Sequence, residues 1–90
     1  MFNKIMLTGK VFDVDYERNT IAISVPSRNE TLDFEFAFDE EVVKSVGEVF
    51  ESEDELLASV EGELISDGDG LAIFPTSIST ASLVKKAMYS

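Results

Sequence analysis

The sequence contains no cysteine, no histidine and no tryptophan, and the first two absences each exclude a class of function. Without cysteine there are no disulfides and no thiolate metal ligands, and without histidine the commonest general base and metal ligand is missing. No run approaches the ~20 apolar residues of a membrane-spanning helix, and the first residues lack the apolar stretch of a signal peptide. We therefore expect a cytoplasmic protein with no membrane association, no metal and no cofactor.

Basic residues are scarce and unevenly placed. The chain has 7 Lys and Arg against 18 Asp and Glu, which gives a formal net charge of −11. Residues 1–30 are electrically neutral, whereas residues 31–84 hold fourteen acids and a single cation, Lys44. Lys85 and Lys86 follow at the end of the chain. A polyanion would therefore be attracted by the first third and the last residues and repelled elsewhere.

The apolar residues alternate with polar ones in five runs, which is the pattern of half-buried strands. In the first run Ile5, Leu7 and Val11 would face inward. In the second run the inward positions are the odd-numbered residues from Ile21 to Val25. In the fourth run they are the even-numbered residues from Leu56 to Leu64. In the third they are Leu32, Phe34, Phe36 and Phe38. The five predicted strands are residues 4–14, 20–25, 32–38, 56–65 and 71–78.

Glycine, proline and aspartate divide these runs. Gly9 predicts a bulge or a sharp bend in the first strand, and Pro75 predicts that the last strand is an edge strand or contains a bulge. The segment Ser66–Gly70 contains Asp-Gly and predicts a hairpin turn. Between strands three and four the spacing of the valines becomes helical, with Asp39 as N-cap of a helix that reaches Phe50. Gly47 would weaken this helix by about 1 kcal/mol.

The resulting order is three strands, one helix and two strands, within a length that permits one domain. It predicts an all-β fold, a five-stranded Greek-key barrel of the oligonucleotide/oligosaccharide-binding (OB) kind with one α-helix between strands 3 and 4. We assign residues 1–80 to this domain and residues 81–90 to a tail or short helix. Because so short a chain has a thin core, oligomerisation would help to stabilise it.

Two motifs resemble the bacterial single-stranded DNA-binding protein family. The chain opens with Asn3-Lys4-Ile5-Met6-Leu7-Thr8-Gly9-Lys10, and Val60-Glu61-Gly62-Glu63-Leu64 follows at the fourth strand. The resemblance implies an OB fold, binding of single-stranded DNA in replication or recombination, and a homo-oligomer in which the edge of strand one pairs with a second subunit. The family's base-stacking tryptophans, long hairpins and acidic C-terminal tip have no counterpart in this sequence.

Single-strand binding requires cations that follow the phosphates and exposed aromatic rings that stack on bases. Strand alternation places Lys4, Lys10 and Phe12 on one outward face, with Tyr16 in the turn that follows. With so few cations, binding to single-stranded DNA would be weak and sensitive to salt. Alternatively, Phe12 is buried at a barrel end or a subunit interface. The candidate nucleic-acid-binding residues are Lys4, Lys10, Phe12, Tyr16, Arg18, Arg28, Lys85 and Lys86.

Other functions remain open. Asp33 and Glu35, outward on strand three, would repel phosphates, and the acidic stretch 33–69 could instead bind a basic protein partner or mimic nucleic acid. A third hypothesis is a structural subunit whose outward apolar residues form an interface. Asp67 and Asp69 resemble the start of a calcium loop but lack its later glycine and glutamate, so we expect a solvated turn. No nucleophile or phosphate-loop motif is present, and we expect no catalytic residue and no enzyme.

Overall fold

The computed structural model describes residues 4–53, 55–66, 68 and 70–82. It contains five strands and one helix in the predicted order. The elements are β1 (Lys4–Asp15), β2 (Thr20–Pro26), β3 (Thr31–Ala37), α1 (Glu40–Ser52), β4 (Leu56–Ser66) and β5 (Leu71–Ser82).

All strand pairs are antiparallel, and the strand order is β3-β2-β1-β4-β5. β1 lies at the centre because its two halves have different partners: Lys4–Lys10 pairs with β4, and Lys10–Asp15 pairs with β2. The predicted five-stranded OB-type fold with a helix between β3 and β4 is thereby confirmed. Within the described residues, β3 and β5 are the two outer strands and do not pair with each other.

The core lies between one face of the sheet and one side of α1. Ile21, Ile23, Val43, Leu56 and Val60 are at most 1% exposed, as the strand alternation and the helical spacing predicted. Burying an aliphatic side chain of this size stabilises the fold by about 1.5–3 kcal/mol. The rings of two predicted core residues of β3 stack beside this cluster with their centroids 5.9 Å apart; they are Phe34 and Phe36.

The prediction for β2 and β3 was wrong at one position, and β2 is more deeply buried than the alternation alone implies. Thr20 and Ala22, on the face opposite to Ile21 and Ile23, are buried as well. Leu32, expected to face the core, is 41% exposed because it lies at the start of an outer strand. The last predicted residue of β3, Phe38, follows the strand and is half-buried.

The predicted bulge of β1 exists, but Gly9 does not form it. The ladder with β4 is regular through Gly9, whereas the register with β2 shifts between Val11 and Asp13, so that Phe12 is the extra residue. Gly9 instead permits a close approach between strands. A Cβ at this position would lie 2.8 Å from the carbonyl carbon of Ser24.

Both features predicted from Pro75 are present. β5 is an outer strand, and its register with β4 shifts between Glu61 and Gly62, where Pro75 pairs with Gly62. The β4–β5 hairpin is also confirmed, since Ser66 pairs with Leu71 and Gly68 has a φ of 60°. β5 extends to Ser82, four residues beyond its predicted end, and residues 83–90 lie outside the described part of the chain.

Candidate nucleic-acid interface

The outward face of β1 carries the first candidate residues. Lys4, Lys10 and Phe12 are exposed, and exposed residues alternate with more deeply buried ones from Lys4 to Phe12, as expected for a strand with one face on the core. Phe12 occupies the bulge and has no pairing partner on β2, and it is 48% exposed. An exposed ring next to a lysine has the chemistry of a base-stacking position.

The two lysines of this face already have anionic neighbours. Lys10 Nζ lies 2.9 Å from Glu55 Oε1, and Lys4 Nζ lies 3.8 Å from Glu61 Oε2. Both pairs are exposed, so each contributes at most about 1 kcal/mol and can be exchanged for another anion. A phosphate would therefore compete with a carboxylate for each lysine.

The two candidate arginines occupy different turns. Arg18 lies in the turn between β1 and β2, and its Nη2 lies 3.3 Å from Glu35 Oε1 on β3. Arg28 lies in the turn between β2 and β3, which is closed by a 2.8 Å hydrogen bond from Ser27 N to Glu30 O. Arg28 is exposed and has no carboxylate within 4.0 Å among the described residues. Among the candidate cations that the structure describes, Arg28 is thus the one without a competing carboxylate.

Tyr16 is held against the helix rather than projecting alone from its turn. Its hydroxyl donates a 2.8 Å hydrogen bond to Glu51 Oε2, and its ring covers Gly47. The hydrogen bond to Glu51 raises the pKa of the Tyr16 phenol above its ordinary value of 10.0, and partial burial and the charges of Glu51 and Glu48 act in the same direction. Stacking on a base would require Tyr16 to keep its exposed face toward the ligand or to leave Glu51.

Sequence reasoning missed a further cation beside Tyr16. Lys44 of α1 is exposed and lines a 280 Å³ cavity together with Tyr16 and Asn19. The position of Lys44 depends on how the helix packs over the β1–β2 turn, which no local pattern reveals. The available signal was Gly47, since a glycine inside a helix often marks a close approach by another group.

The candidates form a line rather than a single patch. Lys4 and Arg18 lie near opposite ends of β1, whose twelve residues span about 36 Å at ~3.3 Å per residue. The structure brings Lys10 and Phe12 together on one strand face and places Tyr16 and Arg18 in one turn. Arg28 lies at the other end of β2, and Lys85 and Lys86 lie outside the described residues.

Acidic side chains surround this line. Asp33 and Glu35 are exposed on β3, as predicted, and the ladders align them with Ser24 and Ala22 of β2. On the other side of β1, Glu61 and Glu63 of β4 pair with Met6 and Lys4. Each carboxylate near the path of a nucleic acid would oppose a phosphate and offset part of a cation's contribution.

The described residues offer neither a metal site nor a membrane-spanning helix. Among the described residues, no three Cys, His, Asp or Glu side chains are grouped so as to hold a metal ion, and Asp67 and Asp69 lie outside that part of the chain. The described helix is too short and too polar to cross a bilayer.

Comparison with known proteins identifies the fold. No protein-family model matches the sequence, and no curated protein matches it. Two solved structures do match, both of the mitochondrial single-stranded DNA-binding protein Rim1 of S. cerevisiae. One has a TM-score of 0.62 and 15% identity over 91% of this chain and 97% of that chain, and the other 0.60 and 17% over 96% and 100%.

The predicted resemblance is therefore confirmed at the level of the fold. The neighbours are mitochondrial rather than bacterial proteins, and with 15% and 17% identity the similarity is one of fold. This chain has the fold of the single-stranded DNA-binding proteins.

Proposed function

We propose that this protein binds single-stranded DNA without catalysing a reaction and supports replication or recombination in the cytoplasm. The observation that carries the proposal is the bulge of β1, which presents the exposed ring of Phe12 beside Lys10. The proposal is supported by the fold, whose solved neighbours are named as single-stranded DNA-binding proteins. Bases would stack on Phe12 while phosphates displace Glu55 from Lys10.

The test is fluorescence anisotropy of a labelled oligomer of about 30 thymidines, titrated with the full chain at ~20 mM salt. We expect Phe12→Ala to weaken binding roughly 5- to 150-fold, since stacking contributes about 1–3 kcal/mol per base. The matched control is Phe74→Ala, which removes a 59% exposed ring from β5. Equal affinity of the wild type and the Phe12 variant, or equal losses in both variants, would contradict the stacking role.

A second measurement tests whether the carboxylate that pairs with Arg18 weakens DNA binding. Glu35→Gln removes the partner of Arg18 and one repulsive charge, so we expect DNA binding to tighten a few-fold, because an exposed ion pair contributes at most about 1 kcal/mol. Glu41→Gln, in the first turn of α1, makes the same charge change at a residue that forms no ion pair with a candidate cation among the described residues. If the two variants gained equally, the effect would be one of net charge rather than of Arg18.

The self-association that the resemblance implies has a structural basis in β1. Within the described residues, Lys4–Thr8 pairs with β4 on one side and has no partner strand on the other. A second copy could pair with this edge and form a continuous sheet across a homo-oligomer. Size-exclusion chromatography with light scattering tests this, and a mass of one 9.9 kDa chain at the concentrations used for DNA binding would refute it.

One observation favours a second function. Each of the three ion pairs among the described residues joins a cation of the first third to a carboxylate of residues 31–84, while Asp33 and Glu63 remain exposed on β3 and β4. Such a surface suits a basic protein partner or a mimic of nucleic acid. This alternative predicts no anisotropy change at ~20 mM salt, together with binding of protamine that Asp33→Asn weakens.

A further inference from the structure

β5 is an edge strand whose second half lacks the usual protection. Its twelve residues include no charged side chain, whereas natural edge strands commonly carry lysines or other charges that prevent pairing with a further strand. Pro75 and the adjacent register shift interrupt its first half. The segment Ser77–Ser82 is uninterrupted, and its outer edge has no partner strand among the described residues.

A groove runs beside this edge, between β5 and α1. A cavity of about 680 Å³ lies between the end of β3 and residues 74–78 of β5, and a second of about 470 Å³ lies between α1 and the following residues of β5. The two cavities share Val42 and Ile78, so they form one surface, which we name the α1–β5 groove.

The groove is apolar at its base and acidic at its rim. Val42, Val46 and Val49 of α1 face Ile78 of β5, and each of them borders the core cluster or belongs to it. The charged residues of the lining are Asp39 and Glu41, both exposed, and the lining contains no cation. A nucleic acid would be repelled here, and a second copy of Ser77–Ser82 would bring no cation to match the rim.

We propose that the α1–β5 groove binds an extended peptide of a partner protein, in which apolar side chains alternate with basic ones. The peptide adds a sixth strand along Ser77–Ser82, with which it exchanges backbone hydrogen bonds. Its apolar side chains cover the valines of α1, and its basic side chains pair with Glu41 and Asp39. Six strand residues extend about 20 Å, which is the length of the uninterrupted segment Ser77–Ser82. This function is independent of the proposed DNA binding.

The first test uses a fluorescein-labelled octapeptide, Val-Lys-Val-Thr-Val-Lys-Val-Thr, and the full chain. Two further peptides carry N-methyl groups on the odd or on the even residues, so that each blocks the hydrogen bonds of one strand edge. We expect one methylated peptide to lose at least about tenfold in affinity while the other binds like the parent. Equal binding by both methylated peptides would mean plain charge attraction and would overturn the proposal.

The second test locates the peptide on the protein. Glu41→Lys and Glu40→Lys change neighbouring exposed residues in the first turn of α1, but only Glu41 lines the groove, since Glu40 lines the cavity beside Tyr16. We expect the Glu41 variant to bind the peptide at least about tenfold more weakly than the Glu40 variant. Matching thermal unfolding of the two variants verifies that both are folded.

Two outcomes would overturn the assignment of the occupant. Equal losses in both glutamate variants would place the peptide elsewhere on the acidic surface. Binding that appears only after residues 83–90 are deleted would identify the chain's own C-terminal segment as the occupant in place of a partner. Loss of DNA binding in the Phe12 variant leaves the peptide result unchanged, so the two proposals fail separately.

Discussion

At the scale of single residues, two glycines are important because another group packs closely against each of them, and not because they make the backbone flexible. Gly47 lies under the ring of Tyr16, and Gly9 lies against the backbone of Ser24. The obstacles differ in kind, because a tyrosine hydroxyl is the far end of a movable side chain and a strand carbonyl is fixed by its ladder. Substitution should therefore displace Tyr16 in the first case and destabilise the sheet in the second.

We expect Gly9→Ala to lower the free energy of unfolding by about 1–3 kcal/mol, because the new methyl group overlaps a backbone that cannot move without breaking the β1–β2 ladder. Gly70→Ala is the matched control. A Cβ at Gly70 would have no atom within 4 Å, so its effect should stay within about 0.5 kcal/mol. Urea unfolding measures both, and equal stabilities would show that β1 can shift to admit the methyl group.

The hydrogen bond of Tyr16 gives the protein a stability term that depends on pH. Because the pKa of the folded phenol is raised above 10.0, the contribution is present below pH 10 and is lost as pH rises through the raised pKa. In a Tyr89→Phe background, absorbance of the phenolate should show a raised pKa that Glu51→Ala returns toward 10.0. Glu53→Ala should leave it raised, and an ordinary pKa in the parent chain would contradict the contact.

At the scale of elements, the positions of the strands could be predicted from the sequence, whereas the contacts between elements could not. The period of two located every inward residue of β4 from Leu56 to Leu64, because both neighbours of this strand continue the same face. The bulge at Phe12 could not be placed from sequence, since it depends on the different partners of the two halves of β1. The contacts of Lys10 with Glu55 and of Tyr16 with Glu51 also could not be predicted, because they join residues that are far apart in the sequence.

The N-cap of α1 is a second feature whose position could be predicted and whose contacts could not. Asp39 occupies the predicted N-cap position, and its carbonyl accepts a 3.0 Å hydrogen bond from Val43 N, but its side chain makes no capping bond. Asp39→Ala should therefore remove only an interaction with the helix dipole, about 0.3–1 kcal/mol at low salt, and this difference should vanish near 1 M salt. A loss of similar size at both salt concentrations would indicate a capping bond in solution.

At the scale of the whole molecule, the few cations set the strength and the salt dependence of the proposed DNA binding. If three phosphates are contacted, the affinity should fall about 100-fold for a tenfold increase in salt, because the slope is about −0.7 per contact for single strands. Anisotropy titrations at ~20 mM and ~200 mM salt measure this slope. An affinity that is independent of salt would exclude electrostatic tracking by the candidate lysines and arginines.

The uncharged edge of β5 also bears on colloidal behaviour. Copies of a chain with a net charge of −11 repel one another, and this long-range repulsion substitutes for the charges that the strand itself lacks. The protection weakens as the Debye length falls from about 10 Å at 0.1 M salt to about 3 Å at 1 M. At high salt concentration the protein should therefore self-associate through Ser77–Ser82. Ser79→Lys should prevent this association.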